Sequence, residues 1–412
     1  MVDPKLCVVC RGRNWCGLSY CPLIASKLAM LRIGNITEQR ELYGSSPPSV
    51  FVGRAGYPFI NIGPSTPLTV GDTSLYDMPE KWIDLGLEDI ISFRMSMVTG
   101  IKRVRIDNLK DPFIDKIHEL AISIKPVDIE IKLAKPPKPL LKLYEHEPPQ
   151  GPRSVLESFK ITSNPRVLRV VDRVYNDPNI KARDAIIMLY FNGIPISSIQ
   201  RMLSVGALGR FVDRKIVPTR WSITAVDYTV SNKLIEEIRE YPVMSGYRMF
   251  VRKHYDNLFI AILGEGKWSF EWMEAWYPGS TWNPGSDNVI IEGDYEGFHG
   301  RRSYPSIGGC YYACRLAVAE YLVRERRQCN AIVLREIYPG FNIPIGVWFV
   351  RENIRKMFRE QPVIITNKFS EIIEIFDQYS RIGFRKWLMN SRLLRRIVFN
   401  ESLTRFLEKY RE

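Results

Sequence analysis

Residues 308–352 read GGCYYACRLAVAEYLVRERRQCNAIVLREIYPGFNIPIGVWFVRE, and their order decides the fold class. Leu316, Ala319 and Val323 recur at helical spacing, so the spacing predicts a helix over 311–328. AIVLREIY is a short apolar run with β-branched residues and reads as a strand, and GVWFVRE reads as another. A helix followed by two strands is not the repeating strand–helix–strand rhythm of a doubly wound sheet. The flanks agree. FVRKHYDNLFIAIL (250–263) and NVIIEG (288–293) read as strands, and the chain beyond 352 is largely helical. The expected class is therefore α+β, an irregular mixture of helices and strands.

Working upstream, KARDAIIMLYFNGIPISSIQRMLSVG (181–206) has helical periodicity broken at Gly193 and Pro195. It reads as two packed core helices, with a helix-turn-helix reading residues 196–204 into DNA as the competing view. PVDIEIKLA (126–134) alternates as a strand. PPKPLLKLYEHEPPQGP (136–152) has six prolines in 17 residues and reads as an extended connector. The expected organisation is a module at 1–25, a domain at 26–135, the linker at 136–152, a larger domain at 153–395 and a tail at 396–412. A length of 412 residues suits two or three domains.

Hydrophobic residues at 45% and charged residues at 25% exclude wholesale disorder, because such a chain buries enough apolar surface to offset its ordering entropy. No run approaches the ~18 apolar residues of a membrane span. The beginning, MVDPKLCVVC, lacks a basic segment followed by an apolar one, so a cytoplasmic protein without membrane contact is expected. The net charge is +13, and residues 381–412 hold nine basic against three acidic side chains. A concentration of positive charge of this kind suits a polyanionic partner, nucleic acid before membrane.

Four of the seven cysteines, Cys7, Cys10, Cys16 and Cys21, fall in a C-x2-C-x5-C-x4-C pattern. Two thiolates two residues apart chelate one ion from a tight turn, and the next pair closes a tetrahedron. Four sulfur ligands with no open position describe a structural zinc (Zn2+) site. An iron–sulfur cluster and plain reduced thiols are the competing readings. Cys310 and Cys314 lack a second ligand pair nearby and read as core thiols.

No phosphate loop of the GxxxxGK[ST] type, no GxSxG elbow and no HExxH occurs. One charged cluster remains, IEGDYEGFHGRRSYPSIGG at 291–309. On a strand, Glu292, Asp294 and Glu296 point to one face, with His299, Arg301 and Arg302 close behind. Asp294, Glu296, His299 and Arg301 are the candidates for a metal-dependent nuclease or nucleotide-using transferase centred on 292–302, and a charged loop of structural ion pairs is the alternative. Arg220 and Trp221, with Asp227, form a second polar candidate on a loop. His118 in KIHELA reads as a helix-surface residue. Near the end, Arg385, Arg392 and Arg396 lie mostly off the apolar face of an amphipathic helix, which makes them candidate DNA contacts. NESLTRFL (400–407) spaces Leu403, Phe406 and Leu407 for one tight helical turn that can plug an apolar groove.

These stretches carry a resemblance. CVVCRGRNWCGLSYCP, SPPSVFVGRAGYP, VPTRWSITAVD, YEGFHGRRSYPSIGGCYYACRLAVAEYL and REIYPGFNIPIGVWFVRE together resemble the archaeal Nre family of DNA repair proteins, from residue 7 to about residue 352. The resemblance implies a role in the response to DNA damage and a four-cysteine zinc finger at Cys7, Cys10, Cys16 and Cys21. It also implies docking on the sliding clamp PCNA through a C-terminal PIP motif, Q-x-x-hydrophobic-x-x-aromatic-aromatic. Asn400 stands where that motif has Gln, Leu403 fills the hydrophobic position, Phe406 the first aromatic, and Leu407 replaces the second. The resemblance implies no enzymatic activity for named residues.

Overall fold

The computed structural model describes residues 39–137, 150–280, 282–283, 286–341 and 345–399. The cysteines of the 1–25 module and the tail residues from Asn400 onward lie outside them. Mixed strands and helices build two six-stranded sheets, one in each of two compact units.

The first unit takes residues 39–230 and 345–349 of the described chain. Its strands are β1 (Glu41–Ser46), β2 (Val50–Val52), β3 (Phe59–Thr66), β4 (Val98–Arg105), β5 (Val127–Leu133) and β6 (Arg153–Ile161). They order as β1-β5-β6-β4-β3-β2, antiparallel except for the β4–β6 pair. Strict alternation makes β5 a one-sided strand: Val127, Ile129, Ile131 and Leu133 are buried, while Glu130 is exposed. Gly63 and Gly100 sit where β3 and β4 approach closely, since an added Cβ on Gly63 would meet the carbonyl oxygen of Gly100 at 1.6 Å.

The helices of this unit are α1 (Leu87–Ser96), α2 (Pro112–Ala121), α3 (Arg169–Asn176), α4 (Ala182–Phe191), α5 (Ile196–Ser204) and the first part of α6 (Thr219–Ile238). Asp111 caps α2 by accepting from the backbone N–H of Phe113, and Pro112 occupies the first turn where a missing N–H costs nothing. In α5, Ile196, Ile199, Met202 and Leu203 are buried, so this helix is a core element rather than a helix presented to DNA.

Two expectations are corrected in this unit. Strands on either side of residues 136–152 pair with each other, β5 against β6, with Ile131 opposite Phe159. The proline-rich stretch therefore joins two strands of one sheet and does not separate domains. The division of the chain falls within α6 instead. His118 is also buried rather than on the helix surface. Its Nε2 donates to the carbonyl of Val205 at 2.8 Å, and its Nδ1 accepts from Tyr175 Oη at 3.2 Å. Burial is the main cause holding its pKa below the ordinary 6.5.

A pH dependence follows. The unfolded His118 takes up a proton near its ordinary pKa of 6.5, whereas the folded one resists it. The stability that His118 contributes is complete above that pKa and is lost as pH falls through the lower folded value. Urea titrations at about pH 8 and about pH 5 should show a larger loss for the wild type than for His118→Gln. Equal losses would mean that His118 charges freely in the folded state.

The second unit takes described residues 231–341 and 350–399. Its strands are β7 (Tyr247–His254), β8 (Asn257–Gly264), β9 (Ser269–Trp276), β10 (Ile290–Glu296), β11 (Asn330–Ile337) and β12 (Ile364–Thr366), in the order β10-β9-β11-β8-β7-β12. Only β9 and β11 are parallel. Tyr255 and Asp256 both adopt positive φ and close the β7–β8 hairpin in two residues. Central β11 is buried along its whole length because both faces of the sheet are covered. On one face, Met249, Ile260, Met273 and Leu334 pack with Phe369 and Phe376 of α9 (Phe369–Tyr379), Phe384 and Trp387 of α10 (Phe384–Asn390), and Leu394 and Ile397. On the other face lies α7 (Gly309–Glu325), where Tyr311 meets Phe270 edge-on at 5.0 Å.

The segment GVWFVRE is a further correction. It opens helix α8 (Trp348–Met357), not a strand. A short apolar run does not distinguish a strand from a buried helix. The buried positions continue at helical spacing through Ile354, Met357 and Phe358, and that longer pattern decides. Among the described residues, no helix is long and apolar enough to cross a membrane.

Candidate functional site

The charged stretch at 292–302 runs along edge strand β10 and the turn that follows it. Glu292, Asp294 and Glu296 share a face, opposite Glu274, Trp272 and Phe270 of β9. Pleating spaces such neighbours by about 6.6 Å, and Asp294 and Glu296 are drawn to different partners. Arg301 Nη1 donates to Asp294 at 2.6 Å and to the carbonyl of Tyr295 at 3.0 Å, while Ser306 Oγ donates to Asp294 at 3.1 Å. These bonds latch the loop that leads into α7. Glu296 is buried and accepts from Arg315 Nε at 2.9 Å and from Trp268 Nε1 at 3.1 Å. Arg315 passes the contact on, donating to Ser231 Oγ at 2.9 Å. His299 stays exposed on the turn, its ring against Phe298 at 5.3 Å.

Asp294, Glu296, His299 and Arg301 are thus neighbours in sequence without converging on one point. Among the described residues, no group of three or more His, Cys, Asp or Glu side chains is placed to hold a metal ion. Two of the carboxylates that would have bound it, Asp294 and Glu296, are instead each paired with a guanidinium group. Cys314 is buried, and burial pushes its thiol pKa well up, which describes an inert core thiol.

Arg220 and Trp221 stand in the first turn of α6 rather than on a loop. Trp221 is half-exposed with its ring 5.1 Å from that of Tyr57. Asp227 is two turns away, fully buried, and accepts from Gln200 Nε2 at 3.1 Å.

The basic C-terminal region is built onto the second unit through two buried carboxylates that composition did not single out. Glu271 accepts from the backbone N–H groups of Arg392 at 2.7 Å and Leu393 at 2.9 Å, so it caps the helical segment 392–399 from another part of the chain. Desolvation by burial raises its pKa, opposed by the bonds from Ser391, Arg392 and Leu393. Glu336 accepts from Tyr277 Oη at 3.0 Å, Tyr338 Oη at 2.9 Å and the Arg381 backbone N–H at 3.1 Å, as well as from Ser380. Of the three candidate DNA contacts, Arg396 is occupied, since its Nη2 donates to Ser269 Oγ at 3.0 Å and to Asn330. Arg392 lies 5.0 Å over the Tyr295 ring, and Arg385 is exposed.

The sequence reading also passed over a buried ion pair on the α7 side of the same sheet. Arg335 Nη1 donates to Glu274 at 3.0 Å and Arg335 Nε to Asn257 Oδ1 at 2.9 Å. The guanidinium sits among the rings of Phe259, Trp282 and Phe341 at 5.4–5.7 Å. Its signal was present as charged residues inside two strand-like runs, SFEWMEAW and NAIVLREI.

Known proteins match the chain over nearly its full length. A protein of Archaeoglobus fulgidus named DNA repair protein NreB is 44% identical over 390 residues, covering 95% of this chain and 97% of that one. Two proteins named DNA repair protein NreA, from Archaeoglobus fulgidus and Haloferax volcanii, are each 35% identical, over 90% and 77% of this chain and over 91% and 78% of their own lengths. No solved structure matches. The family described as Archaeal Nre matches with its N-terminal part at residues 15–283 and its C-terminal part at residues 296–406. By these matches the chain belongs to the archaeal Nre family.

Proposed function

We propose that this protein is a DNA repair factor that docks on the sliding clamp PCNA and contacts DNA. The observation that carries the reading is the 44% identity, over 95% of the chain, to a relative named as a DNA repair protein. Clamp docking is assigned to Asn400, Leu403, Phe406 and Leu407, which follow directly on the helical segment anchored by Glu271 and Arg396. Asn400 is one methylene shorter than the usual Gln and Leu407 cannot stack as an aromatic, so Phe406 carries most of the plug. DNA contact draws on the excess positive charge, with all three arginines of the C-terminal set exposed, Arg385 and Arg392 turned to this use and Arg396 holding the helix in place through its bonds to Ser269 and Asn330.

Zinc is assigned to Cys7, Cys10, Cys16 and Cys21. Four thiolates and no open position fit a metal that supplies local folding energy rather than reactivity. The paired state of Asp294 and Glu296 lends no support to a metal-dependent nuclease at 292–302.

The test is retention of the full-length protein on immobilised clamp. Wild type should be retained and Phe406→Ala should lose at least about tenfold in affinity, the usual scale for deleting a central aromatic anchor. Equal retention of the two proteins would refute the assignment of the tail.

A further inference from the structure

Three large aromatic side chains stand out of the first unit at one place. Tyr57, Phe59 and Trp221 are each between 46% and 49% exposed. Tyr57 and Trp221 lie 5.1 Å apart, and Phe59 is the cross-strand partner of Arg105 where β3 meets β4. Arg103 is on the same solvent face, paired across from Asn61, and an added Cβ on Gly56 would stand 3.1 Å from its Nη2. Arg54 belongs to the same turn, which the Tyr57 N–H closes onto the Arg54 carbonyl.

The charges on this surface are unequal. Arg105 is held by Asp107 at 2.9 Å. Arg54 and Arg103 have no carboxylate partner among the described residues. Exposed aromatic faces beside unpaired guanidinium groups match a ligand that offers flat apolar rings and anionic oxygens in alternation. An unstacked nucleic-acid strand has that chemistry, whereas a duplex hides its base faces in its own stack. A protein partner would also value the aromatic rings, but two uncompensated arginines favour a polyanion.

We infer that Tyr57, Phe59, Trp221, Arg54 and Arg103 form a docking surface for single-stranded DNA, with bases stacking on the rings and phosphates on the guanidinium groups. The inference rests on the DNA-contact part of the proposed function and adds the kind of strand and the face that takes it.

Fluorescence anisotropy on the full-length protein tests it, with a fluorescein-labelled oligothymidylate of about 16 nucleotides and the same strand annealed to its complement. Wild type should prefer the single strand. Trp221→Ala and Phe59→Ala should each weaken that binding about tenfold, and Phe59→Trp should retain it. Arg103→Gln should lower the slope of log affinity against log salt by about one. Retention on the clamp should be unchanged in all four. If wild type and variants bind DNA equally, DNA contact stands and this surface is not its site. If wild type does not bind the oligonucleotide, the inference is overturned together with DNA contact, and clamp retention still reports separately on the tail. If Phe59→Ala instead abolishes self-association seen by sedimentation and leaves DNA binding intact, the surface joins two copies of the chain and the inference fails.

Discussion

Arg335→Met should lower the stability of the second unit by about 3–5 kcal/mol. The replacement has a suitable volume and no charge, so it fills the space among Phe259, Trp282 and Phe341 but leaves Glu274 behind. Glu274 is buried and would retain the Trp276 Nε1 donor at 2.9 Å. A carboxylate ionised in that setting has lost its counter-charge, and Asn257 Oδ1 has lost a donor. The cost therefore arises from an uncompensated charge, not from a cavity. The double variant Arg335→Met with Glu274→Leu should recover most of the loss, because replacing a buried pair by apolar groups of similar size is nearly neutral. Urea denaturation of the four proteins of the cycle measures this directly. A loss below about 1 kcal/mol for the single variant would show that Glu274 is hydrated despite its burial.

Removal of zinc should have the other large effect, confined to the beginning of the chain. Elemental analysis of the purified protein should find about one zinc per chain, and Cys10→Ser should abolish it. Structural zinc sites of four thiolates supply on the order of 10–16 kcal/mol, far more than a segment of this length gains from apolar burial. Without the metal, limited proteolysis should cut within residues 1–25, while the two sheet units resist. Iron with a visible charge-transfer band would replace this assignment by a cluster. Absence of any metal from freshly prepared protein would end it.

The reading from residues reached the elements whose signal is local. The alternation in PVDIEIKLA became β5, the strand reading of FVRKHYDNLFIAIL became β7 and β8, and the long helix before AIVLREIY became α7. The face shared by Glu292, Asp294 and Glu296 was also correct, since side chains alternate along any strand. What that face contains was not legible. Its partners Arg301 and Arg315 lie 7 and 19 residues away, and nothing local indicates that α7 would bring Arg315 onto Glu296. The proline count at 136–152 misled because prolines report an irregular backbone, not the absence of pairing between the strands that flank it.

Family membership, the alternation of buried and exposed positions and the placement of charge along the chain were determined by the sequence itself, since each is a property of residues close to one another or of their order. Tertiary structure alone decided which charges are spent. Arg396, Glu271, Glu336 and Arg335 look like any other surface ions in one dimension, yet each is consumed by a partner 44 to 127 residues distant, and for Glu271, Glu336 and Arg335 burial makes those pairings obligatory. It also decided which aromatics remain outside: Phe59 and Trp221 come to the same surface only because β3 meets β4 there and Tyr57 meets the start of α6. Desolvation and long-range pairing depend on the packed chain, and therefore leave no mark at the scale of a motif.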